Sequence, residues 1–433
     1  MAPRKDNLIH STLTSLLPNR RIRELACRLG VVRRRRKLDI VALVYSLVLG
    51  FGDGERRTLC GLRRAYLRAT GTRLAPSSFH ARFTPQLVEL MRALTLEALD
   101  RSTRSRPKLH GVFAPFREVL AIDSALLRLH SALQPFYPSV FRHYMKASAK
   151  LCMVMNVVGR GAKSFEITHG SHHDVHLLRP GRWVKGRLLI FDLGYYRAPI
   201  FQGIDSHGGY FLSRMKKDGN PTIVASHRRR CRLGGKRSEL QQQTTDHVLD
   251  VEAEMGYQLR HETRPFVTTH RVRWRCVALY NLEQKRWHRY VTNMPPSMMK
   301  PEHFAAVYAA RWEVELLFRE LKSHYRIEHM PSKSKCITEA LIYASLLTLL
   351  VSRRLHRALT RRWRIERRRL PFDRWARLVA ALAPDLLDIV LCRHDRRHRQ
   401  KRIDRLLRAE ATDPNRARIA LPYRAQQGLY QLA

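Results

Sequence analysis

The stretch Tyr308-Ala309-Ala310-Arg311-Trp312-Glu313-Val314-Glu315-Leu316-Leu317-Phe318-Arg319-Glu320-Leu321-Lys322 carries the most information in the chain. Its apolar residues recur at three- and four-residue spacing, which predicts one helix over the whole segment. At about 100° per residue, Tyr308, Arg311, Glu315 and Lys322 fall within an arc of roughly 60°, and Val314, Leu317, Leu321 and Tyr325 lie on the opposite side. A core helix therefore presents one polar stripe. Taken alone, the stripe has an ordinary account as a solvated face, with Arg311 pairing with Glu315 at i,i+4 and Lys322 two turns further on. Glu313, Glu320 and Glu328 fall off the stripe, and helix-surface roles suffice for them.

Two aspartates upstream change the reading. Val119-Leu120-Ala121-Ile122 runs into Asp123, Leu188-Leu189-Ile190-Phe191 runs into Asp192, and Leu151 to Val158 forms a third apolar run. Such near-continuous apolar strands imply burial on both faces, hence a mixed α/β sheet covered by helices. Asp123 and Asp192 are expected at strand ends, where α/β sheets present ligands. A turn or helix cap is the bland alternative for each. Two strand-end aspartates and one helical glutamate can instead converge on a pair of divalent cations about 3.5–4 Å apart, the arrangement that activates a water or hydroxyl at phosphorus. Hard oxygen donors select Mg2+ or Mn2+. Arg311 and Lys322 would then hold nearby phosphates, with Tyr308 donating to another.

The composition agrees. Lysine and arginine number 81 against 36 acidic residues in 433, a formal net charge of +45 and a pI near 11.2. With 44% hydrophobic residues the chain can bury real cores, so this is a folded basic protein whose expected partner is a polyanion, nucleic acid before an acidic membrane. A spanning helix needs roughly 20 apolar residues in a row. The runs Ile40 to Phe51 and Ala340 to Val351 are shorter and read as buried helices. The N-terminus has no signal-peptide pattern, and the expected location is the cytoplasm. Seven cysteines are scattered without a C-x-x-C pair, which supports neither a disulfide framework nor a zinc finger.

The pattern is helical to about residue 100, where Leu59 to Phe83 reads as two short helices broken at Gly71: a helix-turn-helix or simply a packed pair. Strand patterns follow from about 110 to 220. Residues 222–300 then alternate, with Arg271 to Tyr280 and Trp287 to Thr292 predicting a β-hairpin. Helices with arginine clusters at Arg361-Arg362, Arg367-Arg368-Arg369 and Arg396-Arg397 occupy the rest.

These blocks resemble the DDE transposases of bacterial insertion sequences, in particular the group with the YREK signature: Tyr, two residues, Arg, three residues, Glu, six residues, Lys. Tyr308, Arg311, Glu315 and Lys322 fit it without a gap. VLAIDS at Asp123, IFDLGYYR at Asp192 and YFLSRMK at Arg214 and Lys216 look like the group's other blocks in the same order. The resemblance implies a ribonuclease-H-like α/β mixed-sheet core in which Asp123, Asp192 and Glu315 are the metal-binding and catalytic triad, with two Mg2+ or Mn2+ ions. It implies metal-dependent cleavage at the ends of an element and strand transfer, in this group by cut-and-paste through a hairpin. DNA-binding residues would be Tyr308, Arg311, Lys322, Arg214, Lys216 and a base-stacking tryptophan, Trp287 before Trp274, although a hairpin tryptophan is more often core. Double-stranded DNA, at the terminal inverted repeats and the target, and a homodimer in the synaptic complex are the implied partners, on the bacterial nucleoid and without a membrane.

The expected organisation is a helical N-terminal DNA-binding region (1–105), a core in two parts (106–221 and 301–350) split by a β-rich insertion (222–300), and a basic helical C-terminal region (351–433). The alternatives are a catalytically silent DNA-binding protein, such as a decayed transposase or repressor, and a structure-selective nuclease on the same core. His169, His172, His173, Asp174 and His176 match no common zinc spacing and read as a surface loop or phosphate contact, with Asp174 a minor rival for the triad. Gly159 to Ser164 lacks the leading glycine of a phosphate loop.

Overall fold

The computed structural model describes residues 7–32, 38–52, 57–103, 108–141, 143–174, 178–216, 221–227, 247–260, 267–282, 284–328, 330, 332–365, 370–392 and 394–413. His176 and Arg367 to Arg369 lie outside them. The sheet builds outward from β1 (Glu118–Arg128). One edge of β1 pairs antiparallel with β2 (Ser148–Asn156), which pairs antiparallel with β3 (Gly161–His169). The other edge pairs parallel with β4 (Arg187–Phe191), and β4 parallel with β5 (Tyr210–Arg214). This meander followed by parallel crossovers, in the order β3-β2-β1-β4-β5, is the ribonuclease-H-like arrangement.

The strands that follow do not form a layer of their own. β6 (Thr222–Ser226), β7 (Val248–Arg260), β8 (Val267–Asn281) and β9 (Arg286–Thr292) join through β9 to β5, extending one sheet to nine strands. The β8–β9 pair is the hairpin that the alternation predicts. β2 and β4 are buried along almost their whole length, as apolar runs demand of strands covered on both faces.

Each face has its own apolar core. Val119, Ala121, Leu188, Ile190 and Leu212 point into the larger one. Leu120, Ile122, Leu189, Phe191 and Phe211 point into the other, with Ile200, Phe201 and Ile204 of α7 (Ala198–Ser206). The larger core joins both ends of the chain. On the N-terminal side it includes α1 (Leu8–Leu16), α2 (Asn19–Arg28), α3 (Ile40–Leu49), α4 (Leu59–Thr70), α5 (Pro76–His80) and α6 (Pro85–Thr103). On the C-terminal side stand α8 (Phe304–Ala309), α9 (Trp312–Ser323), α10 (Lys335–Trp363), α11 (Phe372–Ala381), α12 (Ala383–Leu391) and α13 (Arg396–Ala411). α4 ends at Gly71, whose φ of +69° is the left-handed cap that glycine supplies without strain. α10 packs along α6 and runs unbroken through residue 350. Its length and apolarity would suffice to cross a membrane, but 78% of its most apolar window is buried in protein.

Two local expectations need correction. Tyr308 to Lys322 is not one helix: α8 ends at Ala309 and α9 starts at Trp312. Between them the amides of Arg311, Glu313 and Val314 bond three residues back, to Tyr308, Ala310 and Arg311 at 3.0–3.2 Å, a 3₁₀ stitch that tightens the winding at Arg311. Asp123 does not end its strand either. β1 continues to Arg128 because β2 still pairs with it after its parallel neighbour β4 has stopped at Phe191.

Candidate active site

The register that ends β4 brings two carboxylates together. Ile122 is the last residue of β1 paired with β4, opposite Phe191, so the next residues on the two chains are Asp123 and Asp192. Side chains alternate along strands, which puts both aspartates on the face of Val119, Ala121, Leu188 and Ile190. α9 crosses that same face against β1 and carries Glu315. Its apolar side, Val314, Leu317 and Leu321, is fully buried, and Glu315 lines an open cavity with Asp123.

Arg311 ties this cluster together. Its Nη1 donates to Asp123 Oδ2 at 3.2 Å, and its Nη2 donates to Glu315 Oε1. Tyr308 Oη donates to Asp192 Oδ1 at 3.4 Å. Lys322 Nζ donates to the Leu126 carbonyl at 3.2 Å and pairs with Glu328 at 2.7 Å. Tyr308, Arg311, Glu315 and Lys322 thus stand on one side despite the stitch.

Burial pushes the Asp123 carboxyl up to about 6. The Ser124 amide and Arg311 pull against that shift, while the negative charges of Asp192 and Glu315 reinforce it. Tyr308 is likewise pushed up by burial to about 12. Burial works against the charge on Arg311, yet its pKa rises because Tyr308, Asp192, Glu315 and Asp123 surround it.

Arg311 also divides the open space. On one side a cavity of about 700 Å3 is lined by Asp123, Glu315, Lys322, Arg319, Asp174 and Phe141. On the other a cavity of about 580 Å3 is lined by Asp192, Tyr308, Arg214, His288, Trp312 and Arg311 itself. Among the described residues no three Asp, Glu, His or Cys side chains close around one point in a metal-binding arrangement. The donors themselves are hard oxygens whose charges already act on one another, which fits magnesium or manganese, with the Arg311 guanidinium in the gap between Asp123 and Glu315.

The remaining candidates divide by face. Arg214 ends β5 on the carboxylate face, its guanidinium 5.1 Å from the Tyr308 ring centre. Lys216 lies apart, over the Tyr196 ring. Trp287 packs with the opposite core, edge-on to Tyr280, while its neighbour His288 faces the cavity. Trp274 is buried edge-on against the stacked pair Phe201 and Phe211. Asp174 does reach the site, where it accepts from Ser124 Oγ at 2.7 Å and pairs with Lys150 at 3.0 Å.

Sequence reading misjudged Glu313 and Glu320, which are not surface residues. Both are buried, paired with Arg160 and Arg353. Their spacing around buried Leu317 was the available signal. Trp312, 48% exposed on the cavity wall, carried no distinguishing sequence mark.

The chain is similar to known proteins over most of its length. The Transposase DDE domain model matches residues 114–351, more than half of the chain. The chain is 21% identical over 370 residues to the transposase for insertion sequence element IS231B of Bacillus thuringiensis subsp. berliner, covering 76% of each. It is 21% identical over 354 residues to that for IS1151 of Clostridium perfringens, covering 73% of this chain and 74% of the relative. A solved piggyBac transposase synaptic complex with hairpin DNA aligns over 94% of this chain and 86% of its own, at 10% identity and a TM-score of 0.47. By its family match the chain belongs to the DDE transposases.

Proposed function

We propose that this DNA transposase cuts at the ends of an insertion sequence and joins them to target DNA, with Asp123, Asp192 and Glu315 as the catalytic, metal-holding residues. The observation that carries the reading is the shared register of Asp123 and Asp192 on the sheet face that α9 crosses with Glu315. Two Mg2+ or Mn2+ ions, when bound there, would activate the attacking oxygen and stabilise the leaving one.

Water attacks phosphorus at the element boundary, and the 3′ oxygen leaves as a hydroxyl. That hydroxyl next attacks phosphorus in the opposite strand, displacing the 3′ oxygen of the flanking DNA and giving a hairpin, or in target DNA, displacing a target 3′ oxygen and giving the joined product. Arg311 and Lys322 grip the flanking phosphates once drawn from their protein partners, and Tyr308 and Arg214 support the same strand from the second cavity. Lys216 and Trp287 extend the contact outside the cavity walls. Regions 1–105, 222–300 and 351–433 supply DNA contacts around the split core (106–221 and 301–350), two copies act on two ends, and the work is done on cytoplasmic, nucleoid DNA.

The test incubates the protein with its own element's end, flanking DNA attached, and Mg2+ or Mn2+, beside Glu315→Gln and Asp192→Asn. Boundary cleavage with hairpin or joined strands on a denaturing gel, absent from both variants, supports the reading. Tight binding without cleavage indicates a silent DNA-binding protein, and cleavage that never yields joined strands a nuclease.

A further inference from the structure

α13 has two unlike faces. Gln400, Ile403, Leu407 and Ala411 are buried, and the helix is pinned by Gln400, which accepts from the His10 amide at 3.1 Å and donates to Asn7 at 3.2 Å. Asp404 accepts from Trp363 Nε1 at 3.1 Å. Arg399 and Arg402 are neutralised by Asp388 and Asp385 at 3.2 and 2.9 Å. Arg397, Lys401, Arg405 and Arg408 are different. They recur at i, i+4, i+8 and i+11, an arc of about 80°, all four are exposed, and none has an ion-pair partner among the described residues.

A solvated helix face ordinarily sets acids against bases one turn apart, because like charges at i,i+4 oppose the helix. Here the like charges stand in line on a helix whose back is fixed, so the fold bears their repulsion with no ion-pair partner among the described residues to offset it. We propose that this stripe is a second DNA surface, separate from the cleft, which follows the phosphate backbone without reading bases. The stripe spans about 16 Å, eleven residues at about 1.5 Å each, the axial length of about five phosphates on one strand at roughly 3.4 Å. α13 packs on α11, and α11 on α9, so the stripe belongs to the same rigid stack of helices as Glu315. A duplex engaged there would be held by flexible cations alone, since the stripe's four residues offer no acceptor and no aromatic face.

The proposal rests on the DNA reading above, and its test separates the two. Binding of the full chain to fluorescent duplexes of about 30 base pairs and unrelated sequence is measured by anisotropy without divalent metal, from about 100 to 400 mM KCl. The variant Arg397→Gln/Lys401→Gln/Arg405→Gln/Arg408→Gln is compared with Lys108→Gln/Arg117→Gln/Arg182→Gln/Lys185→Gln, which removes equal charge from other exposed positions. The stripe variant should lower the slope of log affinity against log salt by about 3 to 4, roughly 0.9 for each phosphate that is no longer neutralised, alike on every sequence, and the control by less than about 1. Equal slope changes in both variants, or none in the first, overturn the proposal. An unchanged slope with loss of dimer in sedimentation also overturns it, in favour of a surface between copies. Boundary cleavage by the native chain would leave the transposase reading standing in either case. Native protein that binds no duplex at all would overturn both.

Discussion

Arg311 donates to Asp123 across 188 residues of sequence, and the same guanidinium donates to Glu315, four residues on in the helix that Arg311 precedes. One cation thus neutralises two of the three carboxylates proposed to hold metal, so metal and guanidinium compete for the same oxygens. Arg311→Ala should therefore tighten Mn2+ binding by the DNA-free protein, by roughly three- to tenfold if the partly buried pair contributes about 1 kcal/mol. Free Mn2+ measured by electron paramagnetic resonance checks it. Unchanged or weaker binding would show that Arg311 orients the carboxylates instead of blocking them.

A carboxyl pushed up to about 6 makes stability depend on pH. The folded protein holds the Asp123 proton more tightly than the unfolded chain, whose aspartates titrate near 3.9, roughly. The contribution is therefore fully present below about pH 4 and is lost as pH rises through 6. In EDTA, Asp123→Asn should raise Tm relative to the native chain more at pH 8 than at pH 5. The difference should correspond to about 1–3 kcal/mol, since each pKa unit is worth about 1.4. A pH-independent difference would sink this account.

Behind the site, Glu320 of α9 and Arg353 of α10 pair in near-complete burial, and Arg353 also donates to the Arg160 carbonyl at 3.0 Å. Removing one partner leaves a bare buried charge, so Glu320→Ala should cost about 3–5 kcal/mol in denaturant unfolding. Glu320→Leu with Arg353→Met should recover most of that loss, because the desolvation cost of both charges goes with them. A double variant no more stable than the single one would mean that the Arg160 carbonyl contact matters more than the pair.

Local signals in the sequence carried the sheet's central strands, the β8–β9 hairpin and the polar stripe, because each follows from a short-range period. What escaped depends on neighbours distant in sequence. Asp123 lies inside β1 because β2 extends beyond β4, which no reading of residues 118–128 alone can show. Glu313 and Glu320 are buried because Arg160 and Arg353 come to meet them. The continuation of the sheet through β9 depends on three pairings to β5, at Leu212, Ser213 and Arg214. The face on which Trp287 stands also escaped, because the alternation of β9 sets it with the opposite core from His288.

Asp174 is the acid best placed to compete with Asp192 for the third position, since it shares a cavity with Asp123 and Glu315. One of its oxygens is otherwise engaged: Oδ1 accepts from Ser124 Oγ and lies 3.0 Å from Lys150 Nζ, so its charge is neutralised and its lone pairs are partly used. Among the described residues the Asp192 side chain instead accepts only the long bond from Tyr308. Asp174→Asn keeps the acceptor for Ser124 while removing the charge opposite Lys150, so boundary cleavage should fall by no more than about tenfold, the scale of a supporting charge pair of about 1 kcal/mol. Asp192→Asn should lower it by at least about a thousandfold, the effect of removing a carboxylate ligand worth several kcal/mol. Single-turnover cleavage rates on the same end DNA compare the two, and the reverse ranking would move the third carboxylate from Asp192 to Asp174.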